Sequence, residues 1–291
     1  MSQAEIGVIG GSGLYILPDL VDLEEVELET PWGDPSEPYM VGTLRGKRIA
    51  FLSRHGSGHR LMPTEINYRA NIYGFRMLGV DRILSFSAVG SLREDLKPLS
   101  FLLPDQFVDR TRHRADTFFG EGLVAHISFA DPICPVLLEV LDSSCRTVGL
   151  GAKRGGTYLC MEGPAFSTKA ESNLYRSWGM DVIGMTNLTE AKLAREAEIC
   201  YVTVAMVTDY DCWHPDHDSV TVQQIIGNLN KNSENAIKLL SCAILAMPKA
   251  RTCRCGSSLA DAIITTREKI AHDALKKVSL LVAKYLPPEG E

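Results

Sequence analysis

Ile-Cys-Tyr-Val-Thr-Val-Ala-Met-Val, residues 199–207, is a continuous apolar and β-branched run. Such a run is typical of a strand that is buried on both faces of a sheet. Further short strands are predicted at residues 5–10, 48–53, 82–87, 156–161 and 181–184. Segments with helical spacing alternate with these strands, at residues 66–79, 170–179, 188–197 and 221–246. The alternation predicts an α/β fold, in which helices flank a central mixed or mostly parallel sheet.

A break in this pattern lies at residues 249–257, which include Cys-Arg-Cys-Gly-Ser-Ser. Beyond the break, apolar residues follow helical spacing again. We therefore expect one domain over residues 1–250 and a C-terminal helical appendage over residues 251–291. Its amphipathic helix, predicted over 258–286, would dock on the body or on a neighbouring subunit. Binding to a membrane surface is the weaker interpretation, because the polar face mixes both charge signs.

The composition is that of a globular enzyme and excludes several other classes. The 291 residues are 45% hydrophobic and 23% charged, with a net charge of −6. No basic stripe is visible, so neither nucleic acid nor an anionic membrane is an expected partner. The N-terminus carries no signal-peptide pattern, and no apolar run approaches the roughly 18 residues of a membrane span. A cytoplasmic location is expected.

Glycine-rich and cationic residues follow the predicted strands, where ligands of open α/β sheets bind. Gly10-Gly11-Ser12-Gly13 follows the first strand and offers backbone amides and a hydroxyl to an anion. The segment matches neither dinucleotide-binding nor P-loop patterns, and Leu14 removes the serine-hydrolase pattern. A simple tight turn is the alternative interpretation.

Arg54 and His55 follow the second of these strands, and a guanidinium binds phosphate oxygens with a planar set of donors. Ser87-Ala88 and Thr186 would add hydroxyls and backbone amides. Each of these residues, taken alone, also fits a purely structural role. Together they predict a phosphate-sized anion site.

Two carboxylates, Asp209 and Asp211, stand at the end of the buried strand. Residues i and i+2 of a strand point to one face, so both are expected to reach the same site. Adenine presents N7 as an acceptor and N6 as a donor, and a protonated carboxyl group complements both. This requires a raised pKa, through burial or through the second carboxylate. A helix cap or a surface turn is the alternative.

Eight cysteines are present, and six of them are scattered as small core residues are. Cys253 and Cys255 stand as a pair without a companion pair in the nearby sequence, so they do not form a zinc pattern. Reduced thiols are favoured over a strained disulfide in the cytosol. The segment His214-Pro215-Asp216-His217-Asp218 is interpreted as a loop over the pocket rather than as a metal site, because its ligand spacing is irregular. No metal is expected.

The motifs jointly resemble the methylthioadenosine phosphorylase family of the trimeric purine nucleoside phosphorylase superfamily. Their order and spacing match that family over residues 5–250. The segments that carry the resemblance are Gly-Val-Ile-Gly-Gly-Ser-Gly-Leu (7–14), Ser-Arg-His-Gly (53–56), Pro-Thr-Glu-Ile-Asn-Tyr-Arg-Ala-Asn-Ile (63–72), Ala-Val-Gly-Ser-Leu-Arg-Glu (88–94), Asp-Gln-Phe-Val-Asp-Arg-Thr (105–111), Glu-Gly-Pro-Ala-Phe-Ser-Thr (162–168), Gly-Met-Thr (184–186) and Thr-Asp-Tyr-Asp-Cys-Trp (208–213).

The resemblance implies a role for each matching residue. The phosphate would be held by Ser12, Arg54, His55, Ser87, Ala88 and Thr186. Met185 would lie under the ribose of the nucleoside, and Phe166 would stack on the purine. Asp209, Tyr210 and Asp211 would contact the base, with Asp209 as the catalytic residue. His59 and His126 resemble the histidines that border the 5′ pocket, the second of them by reaching a neighbouring subunit.

The resemblance also concerns specificity. Ser167 matches the branch that takes 6-aminopurines, whereas the branch for 6-oxopurines has Glu there and Asn in place of Asp209. Val222 stands where the family keeps an apolar residue near the 5′ substituent. Two positions depart from the family: Ala165 replaces a large polar residue, and Pro98-Leu99-Ser100 replaces Pro-Gly-Asp.

The implied reaction is phosphorolysis of 5′-methylthioadenosine to adenine and 5-methylthioribose 1-phosphate, a pentosyl transfer in purine and methionine salvage. Inorganic phosphate would be the co-substrate and no cofactor would be needed, and a homotrimer is implied, with a hexamer as the alternative. Three other functions remain open: a broader phosphorylase acting on adenosine or inosine, a phosphate-independent nucleosidase, and a non-catalytic nucleoside-binding protein.

Overall fold

The computed structural model describes residues 4–14, 17–215 and 222–287, and for 222–226 only the backbone. The strands are β1 (Ile6–Gly10), β2 (Val21–Val26), β3 (Tyr39–Leu44), β4 (Lys47–Ser53), β5 (Arg82–Ser91), β6 (Phe101–Leu103), β7 (Gln106–Arg110), β8 (Ala152–Arg154), β9 (Thr157–Met161), β10 (Val182–Gly184) and β11 (Cys200–Asp209). The helices are α1 (Tyr68–Met77), α2 (Pro135–Thr147), α3 (Lys169–Ser177), α4 (Asn187–Glu196), α5 (Val222–Ala246) and α6 (His272–Val282).

The described strands form one mixed sheet, as the sequence predicts. Its centre is parallel: β1 lies between β4 and β5, and β11 pairs with β5 over its whole length. Antiparallel pairs join β2, β3 and β4 on one side and attach β10 to the end of β5. The segment 199–207 is buried throughout, in agreement with a strand covered on both faces.

Parallel pairing brings four strand ends to one edge of the sheet. Gly10 lies beside Ser53 in the register of β1 and β4. Asp209 lies beside Gly90 in the register of β11 and β5. The residues that follow β1 and β4, those of the second half of β5, and Asp209 therefore meet at this edge. The fold thereby fulfils the expectation that the polar segments after the strands share one site.

The predicted helices form with local start signals. Asn67 caps α1 by accepting a hydrogen bond from the Ala70 N–H. Thr168 and Glu171 cap α3 reciprocally, as a capping box. The sequence interpretation missed α2, although Pro135 opens it and its leucines follow helical spacing. It also missed β2, whose exposed residues Val-Asp-Leu-Glu-Glu-Val carry no buried-strand pattern.

The C-terminal segment differs from the predicted long helix. Within 258–286 the α-helix is limited to His272–Val282, and short 3₁₀ turns at Arg254–Ser257 and Arg267–Lys269 precede it. Its buried residues Leu259, Val278 and Leu281 belong to the same hydrophobic cluster as β1 and β11. The segment therefore packs on the body, one of the two predicted arrangements. None of the described helices combines the length and apolarity needed to cross a bilayer.

Two further cysteines lie beside the Cys253–Cys255 pair at one end of the sheet, which the sequence interpretation did not foresee. The fold brings Cys134 and Cys200 to this pair, so that all four sulfur atoms lie within 4.8 Å of one another. Sequence spacing could not predict this cluster, because its members come from three distant segments of the chain.

Candidate functional site

A cavity of about 640 Å³ opens at the edge where the parallel strands end. Eleven of the predicted residues line it: Ser12, Arg54, His55, His59, Ser87, Ala88, Phe166, Met185, Thr186, Asp209 and Asp211. The anion-binding candidates and the carboxylates thus share one enclosure. Its size is in the range of pockets that bind small molecules.

Arg54 is buried and takes part in an ion pair that the sequence did not reveal. Its guanidinium donates to both carboxylate oxygens of Glu190, one of the two bonds being very short. It also donates to the Ser85 hydroxyl, at 2.6 Å, and to the Phe86 carbonyl, at 3.0 Å. Burial alone would lower the pKa of Arg54, but the neighbouring Glu190 outweighs it and the net shift is upward. The guanidinium is therefore charged and firmly oriented.

Four of the five N–H groups of Arg54 have these partners among the described residues. The remaining donor is on Nη1, and a methyl group at Gly11 would approach that nitrogen to 2.6 Å. Glycine at position 11 therefore lets the loop after β1 pack closely against Arg54 and the Phe86 carbonyl. Arg54 can offer one hydrogen bond to an anion, not the bidentate pair that its sequence position suggests.

His55 is a neutral imidazole in this environment. Burial and the adjacent Arg54 lower its pKa to about 3. Its Nδ1 lies 2.9 Å from the Leu61 carbonyl, which only accepts, so Nδ1 carries the proton. Nε2 is therefore an acceptor, and the ring stacks on His59 at 4.1 Å. His55 can accept the O–H of a hydrogen phosphate but does not donate to it.

The N-terminus of α4 adds a second positive feature to the anion side of the cavity. Thr186 occupies the N-cap position, and its side chain makes no capping bond. The unpaired N–H groups and dipole of a helix N-terminus favour an anion. Asn187 and Tyr158 connect the hydroxyls of Thr186, Ser85 and Ser87 through a buried hydrogen-bond network.

The two carboxylates meet for a reason that differs from the predicted strand alternation. Strand β11 ends at Asp209, and Asp211 follows it with a positive φ of 53°. The Asp211 N–H donates to Asp209 Oδ1 at 2.8 Å, and the Thr208 hydroxyl donates to Oδ2 at 2.6 Å. A sharp turn, rather than the strand itself, brings both side chains to the cavity.

The Asp209 carboxyl has the electrostatic property expected of a proton donor. Burial raises its pKa to about 6, although hydrogen bonds from Thr208 and from the Asp211 backbone oppose the rise. Burial also raises the pKa of Asp211. A methyl group at Gly90 would lie 3.0 Å from Asp209 Oδ1, so glycine there leaves room at the acid.

Met185 and Phe166 form the apolar part of the cavity. Arg114, almost fully buried, donates to the Met185 carbonyl at 2.6 Å and to the Tyr68 hydroxyl, and forms an ion pair with Glu162. These bonds fix the backbone that presents the Met185 thioether. The Phe166 ring also lines the cavity and is 55% exposed.

Other predicted residues lie around the cavity or away from it. Ser167 does not line the cavity: its hydroxyl lies 3.9 Å from Met161 Sδ, and its carbonyl accepts from the Cys212 thiol. Tyr210 packs against Trp213 with its hydroxyl near the Glu94 carbonyl. His126 lines a separate cavity of about 450 Å³. The Val222 side chain and residues 216–218 of the predicted loop lie outside the described part of the chain.

The residues that orient the site, above all Glu190, Asn187 and Arg114, were not predicted from the sequence. Glu190 stands in Thr-Asn-Leu-Thr-Glu, on the helix that follows Gly-Met-Thr. A carboxylate on a helix next to a predicted site was the available signal. The sequence does not show that this carboxylate faces inward toward Arg54.

Known proteins resemble this chain over most of its length. The sequence model that defines the phosphorylase superfamily matches residues 5–245 of this chain. The S-methyl-5′-thioadenosine phosphorylase of Koribacter versatilis is 63% identical over 283 residues, 97% of both chains. A similar enzyme of Gloeobacter violaceus is 57% identical over 288 residues, which are 97% of this chain and 96% of the relative.

Solved structures agree with the sequence relatives. A methylthioadenosine phosphorylase from an antarctic soil metagenomic library superposes with a TM-score of 0.89 at 46% identity, covering 97% of this chain and 99% of the other. Methylthioadenosine phosphorylase from Schistosoma mansoni in complex with adenine superposes with a TM-score of 0.80 at 32% identity, covering 85% and 93%.

Proposed function

The chain belongs to the phosphorylase superfamily, and on this premise we propose that it cleaves 5′-methylthioadenosine with inorganic phosphate, yielding adenine and 5-methylthioribose 1-phosphate. One observation carries the proposal: a carboxyl group with a raised pKa and an anion-binding wall occupy the same cavity. The 6-amino substrate and the use of phosphate follow from these two features respectively.

Asp209 acts at the base. Cleavage of the C1′–N9 bond leaves its electron pair on adenine, and the Asp209 carboxyl donates a proton or a hydrogen bond to N7. Its second oxygen accepts from the 6-amino group, whereas a 6-oxo group offers no donor. The Thr208 hydroxyl and the turn to Asp211 hold the acid in place. The preference for 6-aminopurines rests on this geometry.

Phosphate acts at the opposite face of the ribose. The free N–H of Arg54, the hydroxyls of Ser12 and Thr186 and the N-terminus of α4 bind its oxygens, and His55 accepts its O–H. The anion stabilises the positive charge that develops on the sugar and then forms the new bond to C1′. The proton lost by hydrogen phosphate balances the proton gained by adenine, so turnover needs no external acid.

The decisive experiment measures adenine release from 5′-methylthioadenosine with and without phosphate. Adenosine and inosine are the matched controls for the 5′ group and for the 6 position. We expect release only with phosphate, and a higher kcat/KM for methylthioadenosine than for either control. Equal release without phosphate would identify a nucleosidase, and binding without release a non-catalytic protein. A preference for adenosine or inosine would point to a broader phosphorylase.

The same proposal includes a homotrimer that works without a metal or an organic cofactor at this cavity. Every chemical step above uses only phosphate and side chains of the chain. Sedimentation equilibrium should give three times the 32.0 kDa chain mass. A monomer with full activity, or activity lost on chelation at the cavity and restored only by a metal, would contradict this part of the proposal.

A further inference from the structure

Four cysteine sulfurs converge at the edge of the sheet opposite the cavity. Cys200 opens β11, Cys134 precedes α2, and Cys253 and Cys255 lie in the segment that enters the C-terminal region. All four sulfurs lie within 4.8 Å of one another, and the Cys200 and Cys253 sulfurs are 3.3 Å apart. Cys253 is partly exposed and the other three are buried.

The spacing of the sulfurs suits one tetrahedral metal ion. Zn²⁺ bound to four thiolates at 2.3 Å places neighbouring sulfurs about 3.8 Å apart. The observed separations fall within about 1 Å of this tetrahedral edge. The enclosure is too small for a four-iron cluster between the cysteines, and four soft ligands favour zinc over hard cations. A single disulfide would use only two of the four sulfurs, and a disulfide needs sulfurs about 2.05 Å apart, whereas those of Cys200 and Cys253 are 3.3 Å apart.

The surroundings favour thiolates. Cys134 occupies the N-cap of the 13-residue helix α2, whose first turn has no acidic residue, so the helix dipole stabilises a negative sulfur there. Next to Cys255, the Gly256 carbonyl accepts from Lys284 at 3.0 Å, and Arg251 packs against Gly256. Both cations therefore lie beside Gly256, and each also pairs with a carboxylate, Lys284 with Glu198 and Arg251 with Asp81.

We propose that Cys134, Cys200, Cys253 and Cys255 bind one structural Zn²⁺ that fastens the C-terminal segment to β11 and α2. Binding displaces the four thiol protons into solvent and leaves a complex of charge −2. All four coordination positions are filled by protein, so no open position for water or substrate exists. The role is stability, because the binding free energy of such a site is also folding free energy.

The cluster is remote from the catalytic cavity. Cys200 and Asp209 are the first and last residues of β11, and at about 3.3 Å per residue they lie roughly 30 Å apart. Zinc content and catalysis are therefore separable, and the activity of the cavity can fail or succeed independently of this proposal.

The first test uses the full-length wild-type chain, purified under reducing conditions without a metal-affinity tag. Elemental analysis should find about one zinc per chain, and thiol-directed mercurials should release it in step with the loss of four thiols. Cobalt added to the metal-free chain should produce the charge-transfer and visible bands of tetrahedral thiolate coordination. Intact mass under denaturing conditions should show all eight cysteines reduced.

The second test compares cysteine variants. Cys253→Ser with Cys255→Ser should reduce the zinc content at least about tenfold and lower the Tm, with kcat near the wild-type value at temperatures well below the Tm. Cys242→Ser, which alters a cysteine outside the cluster, should retain zinc. The proposal is overturned if the wild-type chain contains no zinc and shows no cobalt–thiolate bands. This holds whether the mass spectrum shows free thiols or the loss of two hydrogens per disulfide.

Discussion

A single carboxyl group, Asp209, carries the chemistry at the base. Its two oxygens already accept hydrogen bonds from Thr208 and from the Asp211 backbone, so its position is fixed before substrate enters. Burial keeps it partly protonated near neutral pH. Asp209→Asn retains the shape and loses the acidic proton. We expect kcat for methylthioadenosine to fall about 10²–10⁴-fold, and full activity of this variant would refute the assignment.

The pH dependence follows from the same residue. The donor form of Asp209 is the protonated one, which is present below a pKa of about 6 and is lost as the pH rises through it. The kcat/KM for the nucleoside should therefore decline toward higher pH, approaching tenfold per unit above this pKa. Dividing the wild-type profile by that of Asp209→Asn removes the titration of phosphate itself. A flat ratio would contradict the role of Asp209 as the acid.

The buried pair of Arg54 and Glu190 combines a structural and a binding role, which two variants can separate. Arg54→Met leaves the Glu190 charge buried and unpaired, which should cost about 3–5 kcal/mol of unfolding free energy and raise the KM for phosphate. The double variant Arg54→Met, Glu190→Leu removes both charges. It should recover most of the stability in denaturant titrations, while the KM for phosphate stays high. Recovery of the phosphate KM as well would assign Arg54 a purely structural role.

At the scale of elements, the connection between β5 and β6 contains a conformation that its residue does not favour. Leu99 has a φ of 73°, and its N–H donates to the Val207 carbonyl of β11. The left-handed region costs a non-glycine residue about 1–2 kcal/mol, which agrees with the glycine that the family resemblance implies at this position. Leu99, in the Pro98-Leu99-Ser100 segment that departs from the family pattern, therefore places a strained backbone conformation beside the strand that carries Asp209.

Leu99→Gly tests this strain. We expect a gain of about 0.5–1 kcal/mol in unfolding free energy, because relief of the strain exceeds the added flexibility of glycine in the unfolded chain. Ser100→Gly, at the next position and without a positive φ, is the control and should destabilise. Chemical denaturation of both variants measures the difference, and equal losses would show that position 99 is not strained.

At the scale of the whole molecule, the main hydrophobic cluster extends from β1 to α6. The predicted boundary between residues 1–250 and 251–291 therefore crosses a shared core. A shared core favours one cooperative unfolding transition rather than two. The division into residues 1–250 and 251–291 describes the sequence pattern. Whether the two parts unfold separately stays a prediction.

Two adjacent residues of α6 test whether the C-terminal helix belongs to the cooperative unit. Leu281 is 4% exposed and Leu280 is 38% exposed. Leu281→Ala should lower the global unfolding free energy by about 2–5 kcal/mol, and Leu280→Ala by less than about 1 kcal/mol. Denaturation followed by tryptophan fluorescence reports on the body, whose three tryptophans all precede the helix. A separate early transition, with the body unaffected, would show an independent appendage.

The sequence by itself determined the α/β fold, most strands of the parallel centre and eleven residues of the cavity wall. It could do so because strand burial and the polar residues after the strands are local patterns, and parallel pairing places those residues at one edge. Only the tertiary structure revealed that Arg54 pairs with Glu190, that His55 is an acceptor, and that a turn at Asp211 joins the two carboxylates. It also brought four distant cysteines together. These features depend on which side chains meet after packing, and no local pattern in the chain records such meetings.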